Sequence, residues 1–302
     1  MSPPYRENTV VPARGGHKTG YSRGTIHAPD PKKGVPVTTA DDTYEAYALR
    51  YGTMALRKAS RYHRYDTYGE SDASVGLDFF FWLLRNSQCT VLVDCGFDAE
   101  RARAKGYLQG VDPLELLARL DVRAEDVDHV VLSHMHFDHI GNIGLFPKAT
   151  FSIARAEFEF WTGPFADRPH LSAAGEPEEI QAVASLLRQD RLHLVGDAET
   201  LFPGIEATTV RGHTAGQMIT EVKTAGGQVV LASDTIHFYE EMALDRPFWL
   251  FCDLEGMYRG YELLRTLDAR PDTVVVAGHD PAVMTMFESV QDECVDLTRR
   301  IG

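Results

Sequence analysis

The chain has 302 residues, 44% hydrophobic and 25% charged, a balance that suits a globular fold with a large core and excludes a disordered or fibrous polymer. A formal net charge of -14 argues against nucleic acid or an anionic membrane as the main partner. No stretch approaches the ~20 apolar residues of a membrane span and no apolar signal core opens the chain. Cys89, Cys95, Cys252 and Cys294 show no C-x-x-C pairing, so a cytoplasmic protein with reduced thiols is expected.

Residues 1–40 are rich in Pro, Gly, Lys and Arg and lack apolar periodicity, which predicts an extended or disordered arm ahead of one large domain over 41–302. Tyr44 to Tyr51 predicts a half-buried strand, and Arg57 to Gly69 a surface loop. Leu77 to Leu84 and Thr90 to Asp94 predict strands, the second ending on Asp94, either a turn residue or an orienting partner for a metal ligand. Asp112 caps a predicted helix to Leu120 with Pro113 in its first position.

The apolar run Val130 to Leu132 then leads into His134, His136, Asp138 and His139. Three imidazoles and a carboxylate within six residues suit zinc or a similar borderline metal. On an extended segment His134 and His136 point the same way, while Asp138 and His139, past the strand end, turn elsewhere. Gly141 and Asn142 read as a turn.

Further on, Ala149 to Ala154 predicts a strand, Ala156 to Trp161 a short helix, Gly163 to Gly175 a loop bordering the site, Pro177 to Arg188 a helix and Asp190 to Val195 a strand. Ile205 to Val210 is a strand that ends at Gly212-His213. Met218 to Lys223 and Gln228 to Ala232 form a hairpin that ends at Ser233-Asp234. Leu254 to Leu267 is a helix, Thr273 to Ala277 a strand ending at Gly278-His279, and Met284 to Arg300 a last helix. Four strands thus end in ligand-type residues. His134, His136 and His213 suit one metal, Asp138, His139 and His279 a second, and Asp234, with two carboxylate oxygens, can bridge them. Any one of these histidines alone would read as a cap or core residue. The other histidines lack this strand-end setting, and all of them but His237 read as structural.

The ordered set His-x-His-x-Asp-His, Gly-His-Thr-x-Gly, Ser-Asp and Gly-His, running from about Val91 to Pro281, resembles the metallo-β-lactamase superfamily. The resemblance implies an α+β fold, an αββα sandwich with a dinuclear metal site at one edge of the sheets. Within the superfamily the stretches Val93 to Phe97, Leu231 to Thr235, His237 to Glu241, Arg246 to Phe248 and Gly278 to Pro281 look most like the N-acyl homoserine lactonase group. It further implies two divalent ions, foremost Zn2+ with Fe, Mn or Co as alternatives, and a small lactone substrate. The group has a tyrosine three residues after the bridging aspartate, where this chain has His237. That side chain either donates to the oxyanion, shuttles a proton to the leaving oxygen, or lines the pocket.

The expected reaction is hydrolysis of a cyclic ester, an N-acyl homoserine lactone or a related, including aromatic, lactone. A hydroxide between two cations attacks the carbonyl, with Asp138, Asp234 and His237 as the catalytic side chains. Phe137, Phe238, Tyr239, Phe248 and Trp249 are candidates to line an apolar pocket. A glyoxalase II-like thioesterase is the rival enzyme, disfavoured because residues 281–302 carry only Arg299 and Arg300 as cations. A non-hydrolytic di-iron redox protein is the rival from another class. A homodimer is the base-rate oligomer.

Overall fold

The computed structural model describes residues 42–104 and 108–300; the arm expected over residues 1–40 lies outside the described residues. The chain opens with β1 (Glu45–Arg57), β2 (Ser74–Arg85) and β3 (Thr90–Val93). There follow α1 (Ala99–Ala104), β4 (Leu108–Gln109), α2 (Pro113–Arg119), β5 (His129–Val131), α3 (Phe137–Ile140), β6 (Thr150–Ala154), α4 (Arg155–Trp161), α5 (Pro177–Arg188) and β7 (Leu192–Val195). The second half contributes β8 (Ala198–Phe202), β9 (Ile205–Thr209), β10 (Met218–Thr224), β11 (Gly227–Leu231), α6 (Tyr239–Leu244), α7 (Leu254–Asp268), β12 (Thr273–Val276), α8 (Val283–Met286), β13 (Phe287–Gln291) and β14 (Cys294–Arg300). No described helix is long and apolar enough to cross a membrane, and the four cysteines are free.

Two sheets result. The first runs β13-β14-β1-β2-β3-β5-β6-β7, with β4 pairing β1; the second runs β12-β11-β10-β9-β8. Strand alternation builds the layers, because successive side chains point to opposite faces. Phe80, Trp82 and Leu84 of β2 face the second sheet and meet Ala207, Met218, Val222 and Leu231. Phe79, Phe81 and Leu83, one step out of phase, pack on the outer side with Leu116, Leu117, Val183 and Leu186 of α2 and α5. On the far side of the second sheet, Met257, Tyr261, Leu264 and Leu267 of α7 recur at helical spacing and cover Ile219, Val230 and Val275. Each such buried side chain contributes roughly 1.5–3 kcal/mol. The order of layers is helices, sheet, sheet, helices: the expected αββα sandwich.

Two expectations need correcting, and one strand was not foreseen. The last segment is no long helix: after one turn of α8 it forms the hairpin β13–β14, with Ala48 opposite Val295 and Leu49 opposite Cys294. Met284, Phe287, Val290, Cys294 and Leu297 do fall at helical spacing. Glu293, however, sits at φ 63°, outside any helix, and Val295 and Leu297 fill the inter-sheet core only when extended. The segment after β1 is not merely a surface loop, since Tyr62 and Tyr65 are buried and Tyr62 lies 6.0 Å from Phe238. Strand β8 escapes sequence reading because it is an edge strand whose side chains stay largely exposed, so it shows no apolar alternation.

His129, which opens β5, is buried, with Nδ1 2.7 Å from Thr150 Oγ1 and Nε2 2.6 Å from Ser152 Oγ. Hydroxyls serve equally as donors or acceptors, so both ring nitrogens of a neutral imidazole are satisfied. Burial, reinforced by His193, pushes its pKa down to about 4. The unfolded chain therefore takes up this proton first as pH falls. The stability contributed by neutral His129 is complete above about pH 6.5 and is lost between there and about pH 4. His129→Gln should lose roughly 2–3 kcal/mol less than the parent between pH 7 and 4.5 in denaturant unfolding. Parallel losses in both proteins would refute the assignment.

Candidate metal centre

Strand direction gathers the site. β3 and β5 run parallel, as do β11 and β12, so their C-terminal ends emerge together in each sheet. Asp94 follows β3, His134 to His139 follow β5, His213 follows β9, Asp234 follows β11 and His279 follows β12. Around His134 the chain stays extended: His134 and His136 turn into the site while Met135 between them is fully buried in the outer core. His136 then caps α3, whose single turn brings Asp138 and His139 round. Two glycines permit the close approach. Gly212 has φ 145°, and a Cβ there would meet the backbone of Met257 at 2.6 Å. A Cβ on Gly278 would meet Ser233 O at 2.6 Å and Asp234 Oδ1 at 3.0 Å.

The seven residues singled out in the sequence converge in two groups. One contains His134, His136, His213 and Asp234, the other Asp138, His139 and His279, with ligand atoms in each group within 4.8 Å of one another. His136 Nδ1 lies 3.0 Å from both His134 Nε2 and His213 Nε2. Asp234 stands between the groups. Its Oδ2 is 3.2 Å from His213 Nε2 and 3.7 Å from His134 Nε2, while Oδ1 is 3.1 Å from His279 Nε2 and 3.4 Å from His139 Nε2.

Tautomers follow from the other ring nitrogens. Nδ1 of His213 donates to Leu250 O at 3.0 Å and that of His279 to Asp78 O at 2.7 Å. Nδ1 of His139 lies 2.7 Å from Asp94 Oδ2, and that of His134 3.0 Å from Ser133 Oγ. Each of these four rings is thus left with a bare Nε2 turned inward. Burial, and then the neighbouring histidines, drives His134 and His136 well below the ordinary histidine range, towards the neutral ligand form. At His139 burial acts the same way, but Asp138, Asp234 and Asp94 outweigh it and raise the pKa well above normal. That corner demands positive charge. His139 Nε2 and Asp234 Oδ1 are buried without a hydrogen-bond partner. Lone pairs crowded at 3.0 Å, orphaned ligand atoms and an excess of carboxylate suit divalent cations of borderline character.

With this geometry, the sequence profile of the metallo-beta-lactamase superfamily matches residues 80–279. The chain belongs to the metallo-beta-lactamase superfamily. Among curated relatives, an N-acyl homoserine lactonase from a Bacillus species is 27% identical over 221 residues, 68% of this chain and 82% of that protein. The N-acyl homoserine lactonase AttM of Azorhizobium caulinodans is 33% identical over 176 residues, 56% of this chain and 64% of the relative. Among solved structures, a quorum-quenching N-acyl homoserine lactone lactonase superposes with a TM-score of 0.67 at 19% identity, covering 86% of this chain and 98% of the other. AidC, a dizinc quorum-quenching lactonase, gives 0.62 at 21% identity, covering 79% and 88%.

The superfamily site rests on partners that sequence reading largely missed. Asp94 Oδ1 accepts from Ser133 N at 2.7 Å and Oδ2 from Ser133 Oγ at 2.8 Å, and Oδ2 also faces His139 Nδ1, so Asp94 is no plain turn residue. Glu157, fully buried, accepts from Met135 N, Trp161 Nε1 and Gly216 N. Tyr51 donates to Asp138 O at 2.6 Å. Only Asp94, at a strand end, carried a readable signal; Tyr51 and Glu157 lie tens of residues from the site-loop backbone they hold.

His237 lies in the site, with Nε2 3.0 Å from Asp234 Oδ2 and its ring stacked 3.5 Å from Phe248. Burial would depress its pKa, but Asp234 and Glu241 outweigh burial and hold it at about 9. Buried Glu241 sits behind it, accepting from His237 N at 2.9 Å and from Tyr261 Oη at 3.1 Å. Glu241 Oε1 is also 3.2 Å from His237 Nδ1, a charge contact without hydrogen-bond alignment. The ligand groups open into a cleft of about 80 Å³ walled by Met54, Leu56, Leu77, Phe79, Phe137, Phe248, Trp249 and Leu250. Ala174, from the loop expected to border the site, reaches it too. Two of the five expected aromatics do not. Phe238 is buried in the outer core. Tyr239 turns away as α6 begins and donates to Val275 O at 3.2 Å.

Asp94→Asn keeps an oxygen for Ser133 but removes the carboxylate from His139. Affinity for the first-released metal should fall roughly 10–100-fold in chelator competition, with secondary structure intact. Unchanged affinity would remove Asp94 from the site.

Proposed function

We propose that the chain is a metal-dependent lactone hydrolase, and that its substrate is an N-acyl homoserine lactone or a related lactone with an apolar or aromatic substituent. The observation that carries the reading is the placement of Asp234, one oxygen facing each ligand group, at the floor of an apolar cleft. Support also comes from the lactonases among its relatives. His134, His136 and His213 would hold one ion and Asp138, His139 and His279 the other, with Asp234 shared and zinc the favoured metal. Two such ions supply a water acidic enough to be nucleophilic near neutrality and a Lewis acid for the ester carbonyl.

The chain's own residues do the rest. Phe137, Phe248 and Leu250 wall the cleft and thin out bulk water, which strengthens the electrostatics within. Asp138, from the single turn of α3, is the carboxylate nearest the open side, at 12% side-chain exposure, and is placed to accept a proton from the attacking water. His237, clamped between Phe248 and the Glu241 carboxylate, supplies an N–H at the cleft floor. It donates to the oxygen that gains charge as the ester opens and then protonates the departing alkoxide, leaving a hydroxy acid.

Metal-loaded protein should release acid from N-acyl homoserine lactones or aromatic γ-lactones faster than it cleaves S-lactoylglutathione; preference for the thioester, or silence on every lactone, would overturn the proposal. Chelation should abolish the activity. At full metal loading, Asp138→Ala should lower kcat at least about 100-fold and His237→Phe about 10–1,000-fold with a smaller change in KM. An active His237→Phe variant would reduce His237 to a pocket wall.

A further inference from the structure

Phe248 stacks on the His237 ring at 3.5 Å, yet stacking alone leaves the orientation of that ring open. A half-turn about the Cβ–Cγ bond fills the same space and puts a ring carbon where each nitrogen stood, so only polar neighbours tell the two orientations apart. Two carboxylates do so here. Asp234 Oδ2 stands 3.0 Å from Nε2, and Glu241 Oε1 stands 3.2 Å from Nδ1. Asp234 also faces His134, His139, His213 and His279, whereas Glu241 stands outside both ligand groups. Glu241 is itself fixed. It is fully buried. Its Oε1 accepts from His237 N at 2.9 Å and Phe238 N at 3.1 Å, and its Oε2 from Tyr261 Oη at 3.1 Å. Tyr261, also fully buried, belongs to α7. That helix is seated closely on the loop that carries Asp234: a Cβ on Gly260 would meet Thr235 Cγ2 at 2.7 Å. The His237 backbone is held from its other side, where its O accepts from His279 N at 3.0 Å. A carboxylate can cap a helix from the surface; one taken fully out of water is costly unless a partner answers its charge. The side chain that faces Glu241 in that role is the His237 ring.

We propose that Glu241, fixed by Tyr261, is a positioning residue for the reaction: it selects the His237 ring orientation that turns Nε2 to the cleft floor. The assignment rests on the reading of His237 as the group that donates to the opening ester. Glu241 does not line the cleft, so it acts on the substrate only through His237. In the other orientation a ring C–H, and no N–H, would face the oxygen that gains charge. Loss of Glu241 therefore weakens the transition state more than the bound substrate, and lowers kcat more than it raises KM.

The test is a double-mutant cycle on the lactone that the metal-loaded parent turns over fastest, with kcat, KM and metal content measured for each protein. The variants are Glu241→Leu, Tyr261→Phe and His237→Phe, and each of the first two combined with His237→Phe. Glu241→Leu should lower kcat about tenfold or more and Tyr261→Phe about threefold or more, with KM within about twofold and metal content equal to the parent's. In the His237→Phe background the same two changes should move kcat by less than about twofold, because no imidazole is left to orient. A drop that persists undiminished in that background would make Glu241 a cap on α6 and nothing more, and would overturn the assignment. An unchanged kcat in both single variants would overturn it equally. Should Glu241→Leu not fold, Tyr261→Phe with and without His237→Phe carries the same comparison. Full activity in His237→Phe would remove the role of His237 and this assignment with it, leaving the hydrolase intact; turnover of no lactone by the parent would remove both.

Discussion

Ser233 Oγ donates to Ser133 Oγ at 2.8 Å, and Ser133 in turn donates to Asp94. This short buried chain ties the loop after β11 in one sheet to the loops after β5 and β3 in the other. Glu157 makes the second tie, accepting from Met135 N in one sheet's loop and from Gly216 N in the other's. Neither sheet alone contains the site. Ligands from both must meet within a few ångströms, and the inter-sheet core, being apolar, specifies spacing but not which loop atoms face each other. Buried polar groups supply that register, since an unpaired one would cost about 1–3 kcal/mol. Asp94 and Ser233 both adopt left-handed backbone, with φ of 61° and 46°. Such strain persists only where surroundings over-determine it.

The same network decides the electrostatics. Five imidazoles face Asp234, which would resist ionisation in its buried position if it stood alone; His279, His237, His139 and His134 instead hold its pKa well below normal. Bringing so many ligand atoms out of water is unfavourable unless charge returns to them. A site assembled in this way is costly as a structural feature and sensible as a cation-binding one. The partners of the outward ring nitrogens, Leu250 O, Asp78 O and Asp94, make the bare inward nitrogens a property of the fold and not of local chance.

The cleft above the site divides its labour. Its body is aliphatic and aromatic, drawn from β1, β2, α3 and the segment between α6 and α7. Its rim adds Arg61 through backbone pairing between residues 61–63 and 247–249. The segment carrying Arg61 is anchored by the buried Tyr62 and Tyr65, which makes the rim part of the core and not a loose flap.

His134, His136, Asp138, His139, His213, Asp234 and His279 were legible in the sequence because the signal is local: an apolar strand run, then ligand-type residues, then a turn. Two of those turns keep a glycine because another backbone lies against it. The apolar run of β2 and the helix α7 were legible for the same reason, while the layers they build were implied only by the family resemblance. The last hairpin was not legible. Its apolar residues suit a helix as well as a strand, and the choice was made by pairing with β1, more than two hundred residues earlier. Asp94's role, Glu157 and Arg61 also waited for tertiary structure, as did the exclusion of Phe238 and Tyr239 from the cleft. Local order along the chain says which side chains a loop offers. Which atoms they then meet depends on contacts between segments far apart in sequence, and those exist only once the two sheets have packed.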